Sequence, residues 1–290
     1  MMTKDTNVTE MTNMMVGRAV TLNIERPEPV NPKPRIQVEG LTVRSEEGVL
    51  KLQDVSFTAY SGEILGIAGI SGCGQKELLE AIAGLQVTEA GSIYYVEEDG
   101  SREQLIGKDP LKIADMGVSL SFVPEDRLGM GLVGNMTVEE NLVLKATEEP
   151  RFSYAHGALL KKKAIRKFAL ELQKKNDIRC ASIEQEARNL SGGNQQKIIL
   201  AREMENHPEL LVAVHPTRGL DIGASQYVHD TMIEARDKGC GILLISADFD
   251  EVLKLSDRIL VMFEGQVMGI YSGENPPVEE ISLAMAGKEE

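Results

Sequence analysis

Short apolar runs separated by glycine and proline turns dominate the first part of the chain. Ile36-Gln-Val-Glu-Gly-Leu-Thr-Val43 alternates apolar and polar positions, the period of a half-buried strand. Leu52-Gln-Asp-Val-Ser-Phe57 repeats that signal after the turn Glu46-Glu-Gly48. Ile64-Leu-Gly-Ile-Ala68 is continuously apolar, as expected of a strand buried on both faces. It feeds Gly69-Ile-Ser-Gly-Cys-Gly-Gln-Lys-Glu77 and then a predicted helix over Leu78–Ala83. A hairpin over Gly91–Val96 with a turn at Asp99-Gly100 follows, and then a strand over Val118–Val123. After that the period turns helical. Thr137-Val-Glu-Glu140 is a capping box, and a helix is predicted from about Leu159 to Lys175. Its apolar stripe is Ile165, Phe168, Ala169 and Leu172, with Lys161, Lys162, Arg166 and Lys167 off it on a solvated face. Ser191-Gly-Gly193 then opens a further helix through Met204. Leu210–Val214, Gly241–Ser246 and Arg258–Phe263 read as buried strands, the last turning at Glu264-Gly265 into Gln266-Val-Met-Gly269. Strands alternating with helices predict an α/β fold.

With 290 residues and 42% hydrophobic composition the chain can bury a real core, as one large domain or two lobes. A formal net charge of −14 excludes a nucleic-acid binder, whose affinity rests on a basic surface. Three cysteines, Cys73, Cys180 and Cys240, at unrelated spacings imply neither a disulfide framework nor a metal site. Met1–Met15 carries no apolar signal region, and no apolar run approaches the ~20 residues of a spanning helix. Arg26-Pro-Glu-Pro-Val-Asn-Pro-Lys-Pro34 holds four prolines and reads as a semi-rigid linker. The segment before it, Val8–Arg18, aligns without gaps on Val278–Lys288 near the other end. The expectation is that the chain begins with the tail of a preceding copy of its own domain.

The candidate chemistry is phosphate chemistry. Strand, glycine loop and helix are the context of a phosphate-binding loop, and Gly69, Gly72 and Gly74 can form the backbone nest together with Ser71. Gln75 stands where the pattern has lysine, and Lys76 where it has a magnesium-binding hydroxyl. One residue along a helix turns a side chain by ~100°, so Lys76 cannot take over from Gln75. The loop reads as a weakened phosphate site. The helix opening on Ser191-Gly-Gly193 presents free N–H groups and a positive dipole end, which suit an anion.

The full string Asn189-Leu-Ser-Gly-Gly-Asn-Gln-Gln-Lys197 resembles the signature motif of ATP-binding cassette (ABC) proteins, in the form found in importers of simple sugars and nucleosides. Pro124-Glu-Asp-Arg127 and Pro216-Thr-Arg-Gly-Leu-Asp221 resemble two further motifs of that subfamily, and the likeness runs from Ile36 onward. It implies a P-loop NTPase core with an antiparallel β subdomain and an inserted α-helical subdomain. The implied division is 36–125 with 189–290 as core, 126–188 as helical subdomain, and 1–35 as preceding tail plus linker. By resemblance Leu190, Ser191, Gly192, Gly193, Asn194 and Gln195 act in trans on a partner's ATP. Gly219, Leu220 and Asp221 form the D-loop, and Glu125 occupies the place of the glutamine that reaches magnesium. Val214 and His215 stand where the family carries Asp and Glu, and Ala247 where it carries the switch histidine. Arg44–Val49 lacks the aromatic that stacks on adenine.

These losses remove the groups that hold magnesium, polarise phosphate and position water, while the groups shown to a partner remain. The reading is therefore an ATP-binding component of a nucleoside or simple-sugar importer, its own site inactive and holding nucleotide weakly or not at all. ATP and magnesium would sit in a composite site held by a first nucleotide-binding half, tandem or heterodimeric. Transmembrane permease subunits, and indirectly an extracytoplasmic solute-binding protein, complete the expected partners at the inner face of the cell membrane. The alternatives are a homodimeric ABC-type ATPase without a permease, and an interaction or regulatory module.

Overall fold

A computed structural model of the chain describes residues 31–288, apart from 46, 71, 116–119, 155–157 and 206. The expected repeat at Val8–Arg18, most of the linker and the site residue Ser71 lie outside the described residues. The chain divides into two compact units, one gathering residues 31–122, His207–His215 and 232–288, the other Val123–Asn206 and Pro216–Thr231.

The first unit is two sheets and the helices that cover them. Strands β1 (Pro34–Arg44), β2 (Leu50–Tyr60), β4 (Ala90–Val96) and β5 (Arg102–Gln104) make an antiparallel sheet in the order β2-β1-β4-β5. The second sheet, β12-β11-β3-β10-β9-β6, holds β3 (Ile64–Gly69), β9 (Leu210–Val214), β10 (Gly241–Ile245) and β11 (Arg258–Phe263) in parallel. β12 (Gln266–Ser272) lies antiparallel on β11, and β6 (Leu120–Val123) at the far edge. The strand period sorts the core. Leu260 and Met262 of β11 face one cluster with Ile67, Val212, Leu243, Ile36 and Tyr95, joined by Leu78 and Ile82 of α1 (Gln75–Ile82) and Ile113 of α2 (Pro110–Asp115). Ile259 and Val261 face the opposite side, against Val252 of α7 (Phe249–Leu255) and Ile281 of α8 (Val278–Met285). A side-chain period of two is what lets one strand serve both layers.

Polar groups brace this unit where strands begin. Arg236, at the end of α6 (Ile222–Asp237), is buried and grips Asp257 through Nη2 at 2.6 Å and Nε at 3.0 Å. Asp257 Oδ2 also accepts the Ile64 N–H at 2.8 Å, and the Asp257 N–H donates to the Ile64 carbonyl at 2.8 Å, so the first residue of β3 is pinned to the approach of β11. Buried Tyr95 donates its hydroxyl to Glu209 at 2.5 Å, tying the antiparallel sheet to the start of β9.

The second unit is mainly helical. Its elements are α3 (Val138–Val143), α4 (Lys162–Lys175), α5 (Gly192–Glu205) and most of α6. Thr137 and Glu140 close the expected capping box at α3 in both directions. The α4 stripe turns inward as its period requires: Ile165, Ala169 and Leu172 are buried, and Phe168 lies on Phe152 with ring centroids 4.7 Å apart. The helix begins later than expected. Leu159 and Leu160 instead pair with Tyr154 and Ser153 as a two-residue hairpin, β7 (Ser153–Tyr154) and β8 (Leu159–Leu160), and Lys161 marks the helix start. Lys161 also sets its ammonium over the Tyr154 ring, which holds the hairpin against the incoming helix. Among the described residues no helix is long and apolar enough to cross a membrane.

Candidate functional site

Ligands of open α/β sheets lie beyond the carboxyl ends of the parallel strands, and three chain segments meet there in the first unit. The glycine loop follows β3, His215 follows β9, and Ala247 follows β10. The loop is held from behind: the Cys73 carbonyl accepts the Gly265 N–H at 3.0 Å, and the Gly265 carbonyl accepts the Gln53 N–H at 2.9 Å. Gly74 opens α1 at φ 100°, where a Cβ would stand 2.6 Å from the Lys51 carbonyl oxygen, so this position admits only glycine.

The Gln75 amide Nε2 donates to the Ile67 carbonyl of β3 at 2.8 Å, so the side chain lies back under the loop. Lys76 points into solvent and pairs with Glu80 one turn on, at 3.5 Å. Beside the loop, the His215 Nδ1 accepts the Ala247 N–H at 2.9 Å, and the His215 N–H donates to Ile245 at 2.7 Å. Burial lowers the His215 pKa, opposed by the Glu251 carboxylate, so the ring is held neutral, as its acceptor role demands. Lys76, Val214 and His215 do not make a magnesium donor set: the first carries an ammonium turned to solvent, the second offers no side-chain oxygen, and the Nδ1 of the third accepts a backbone N–H.

The second unit carries the signature. Ser191 is exposed, and its Oγ accepts from the Asn194 backbone N–H at 3.4 Å and from the Asn194 Nδ2 at 2.9 Å. Asn194 Oδ1 in turn accepts the Arg179 N–H at 2.7 Å. The first turn-closing backbone bond of α5 runs from Gln195 N to Ser191 O at 3.0 Å, which leaves the Gly192 and Gly193 N–H groups without partners among the described residues. Gln195 differs from its neighbours. It is buried, and its Nε2 reaches the Ala187 and Leu190 carbonyls at 3.2 Å each, so it shapes the turn from inside. Asp221 Oδ1 caps α6 through the Ala224 N–H at 2.9 Å, after Gly219 and Leu220 have turned the chain. A Cβ at Gly193 would meet Ala224 at 2.8 Å, so signature and D-loop are in contact through the absence of a side chain. Glu125 pairs with Arg218, and Arg127 bonds Gln196 and the Arg218 carbonyl, contacts that local sequence does not reveal.

A model of the ABC transporter family matches residues 52–218. The chain belongs to that family. Relatives include the guanosine import ATP-binding protein NupO of Bacillus subtilis, 38% identical over 98% of this chain and 54% of its own length. The nucleoside import ATP-binding protein NupA of Lactococcus lactis is 41% identical over 96% and 53%, and the glucose import ATP-binding protein TsgD13 of Haloferax volcanii 39% over 98% and 50%. The chain thus spans about half the length of the curated relatives it matches. Among solved structures, the ADP conformation of the ATP-binding cassette MJ1267 superposes with a TM-score of 0.67 at 22% identity. That match covers 88% of this chain and 95% of the cassette. The dimeric cassette MJ0796 gives 0.68 at 23% identity, covering 82% and 98%. The fold is accordingly that of an ABC ATPase, a P-loop NTPase core of mixed sheets and helices.

Proposed function

We propose that this chain is one nucleotide-binding half of the ATP-binding component of a nucleoside or simple-sugar ABC importer, and that it serves its partner's ATP rather than its own. One contrast carries the reading. The loop that would hold phosphate turns Lys76 into solvent and spends Gln75 on its own backbone, whereas the signature end keeps the Gly192 and Gly193 N–H groups open, among the described residues, beside an exposed Ser191. In this reading those three residues donate to the γ-phosphate of ATP held by the phosphate loop of another half. Magnesium held with that ATP by the other half would supply charge neutralisation at the phosphates. The contribution of this chain is positional and electrostatic: donors fixed by α5, water excluded by closure, and a positive helix end facing developing charge. The half-length match to NupO and NupA is consistent with a tandem arrangement, in which the motif departures would make this chain the second, degenerate half. The printed names of those relatives favour nucleosides, with sugars next. Permease subunits and a solute-binding protein complete the proposed assembly at the inner face of the membrane.

The test is ATP turnover by this chain alone, by an intact first half alone, and by both together with permease. The expected result is magnesium-dependent turnover only in the combination, falling 10²–10³-fold when Gly193→Asp closes the signature end. Ordinary ABC turnover by the chain alone, sensitive to change at Gly74 or Gln75, would overturn the proposal and favour the homodimeric alternative.

A further inference from the structure

Two strings that look like independent family marks, Pro124-Glu-Asp-Arg127 and Pro216-Thr-Arg-Gly219, are partners in space. Glu125 and Arg218 form an ion pair, and the Arg127 Nη2 donates to the Arg218 carbonyl. The same guanidinium donates through Nε to Oε1 of Gln196 at 2.7 Å. Gln196 lies on the first turns of α5 and is 1% exposed, so this acceptor has no water to fall back on. Arg127 Nη1 would stand 3.5 Å from a Cβ on Gly192, the second residue of the Ser-Gly-Gly end. One planar group on the loop after β6 therefore touches both the signature helix and the turn that leads to Asp221.

The loop carrying Arg127 is itself fixed. Asp126 accepts the Leu128 and Gly129 N–H groups at 3.2 and 2.9 Å, and the Gly131 carbonyl accepts Nη2 of buried Arg202 from the other end of α5 at 2.8 Å. A loop anchored at both ends of α5 cannot shift without moving that helix.

We infer that Arg127 is a positioning residue: it sets the Ser191–Gly193 end and the D-loop turn in one fixed relation, so that both meet a partner's nucleotide together. The inference rests on the trans-acting reading of the signature. Arginine is suited to this because its fork satisfies two acceptors in one plane, whereas the ammonium of lysine is a single point. The Glu125–Arg218 pair is exposed and adds alignment rather than strength.

The experiment measures ATP turnover in the assembled transporter for wild type, Arg127→Ala, Arg127→Lys, Gln196→Ala and the Arg127→Ala/Gln196→Ala double variant. Each rate is normalised to folded protein, with Gly193→Asp as reference. Arg127→Ala is expected to lower kcat about tenfold with KM for ATP unchanged, because the nucleotide is gripped by the other half. Arg127→Lys should fail to restore it, and the double variant should be no worse than the more damaging single one. Turnover within twofold of wild type for Arg127→Ala, or additive losses in the double variant, would overturn the inference. If Gly193→Asp itself left turnover intact, the trans-acting reading would fall instead, so the two failures are distinguishable.

Discussion

At φ 45°, His215 sits in the left-handed region that most side chains avoid, and it stays there because its ring and backbone both have partners. On the proposed reading, the place it fills is that of the carboxylate that orients water in an ABC ATPase. Here the imidazole accepts a backbone N–H, a role open only to the neutral ring. Its pKa is lowered chiefly by burial, with Glu251 pulling the other way. The sign follows from linkage: the folded state binds its proton less readily than the unfolded chain. The stabilisation is therefore complete above the unfolded value, about 6.5, and is lost as pH falls through the folded value. Asn tolerates the left-handed backbone and does not titrate. The urea midpoint of wild type should thus fall more steeply than that of His215→Asn between pH ~7 and ~5. Parallel profiles would show that the ring does not titrate with unfolding.

Elements differ in how much of them the sequence could announce. The α4 stripe of Ile165, Ala169 and Leu172 and the capping box of Thr137 and Glu140 are local, so periodicity and spacing expose them. The hairpin of Ser153–Tyr154 with Leu159–Leu160 has two pairs and no period, and its apolar residues read as the start of the helix behind it. Departures from the motifs that the chain resembles, at Gln75, Val214 and Ala247, are equally visible by position. The contacts that such residues make are not. The Gln75 bond to Ile67 spans eight residues, but that of Arg127 to Gln196 spans 69, and only the folded path brings them together. The same distinction ranks two substitutions. Thr137→Ala removes one local cap and should cost about 1 kcal/mol in denaturant unfolding. Gly74→Ala should cost about 2 kcal/mol or more. It combines a φ of 100° with a Cβ 2.6 Å from the Lys51 carbonyl, and the backing at Lys51 and Gly265 leaves the loop no room to relax. Equal costs for the two would mean that the loop is less firmly held than its contacts imply.

At the scale of the whole molecule, the proposed function has binding and chemistry lost for separable reasons, and separability can be tested. The glycine nest behind Gly69, Gly72 and Gly74 is still shaped and supported by β2 and the Gly265 turn. On that reading what it lacks is a lysine at position 75 and a hydroxyl at position 76. The strand ends are a different case, because Val214 offers no oxygen and His215 is committed to Ala247. Replacing Gln75→Lys and Lys76→Thr together should therefore restore nucleotide affinity without restoring turnover. A lysine at 75 can reach the nest from the position the amide now occupies, and can release the Ile67 carbonyl when phosphate arrives. One regained charge-assisted bond is worth about 1.5–3 kcal/mol, which corresponds to a roughly ten- to hundredfold lower Kd. Calorimetric titration of the chain with magnesium ATP measures the first half of this prediction, and phosphate release the second. Unchanged affinity would show that the nest has collapsed beyond what one cation repairs. Hydrolysis at ABC rates would show that His215 can position water after all, and with it the division of labour between an open signature end and a silent phosphate loop would lose its basis.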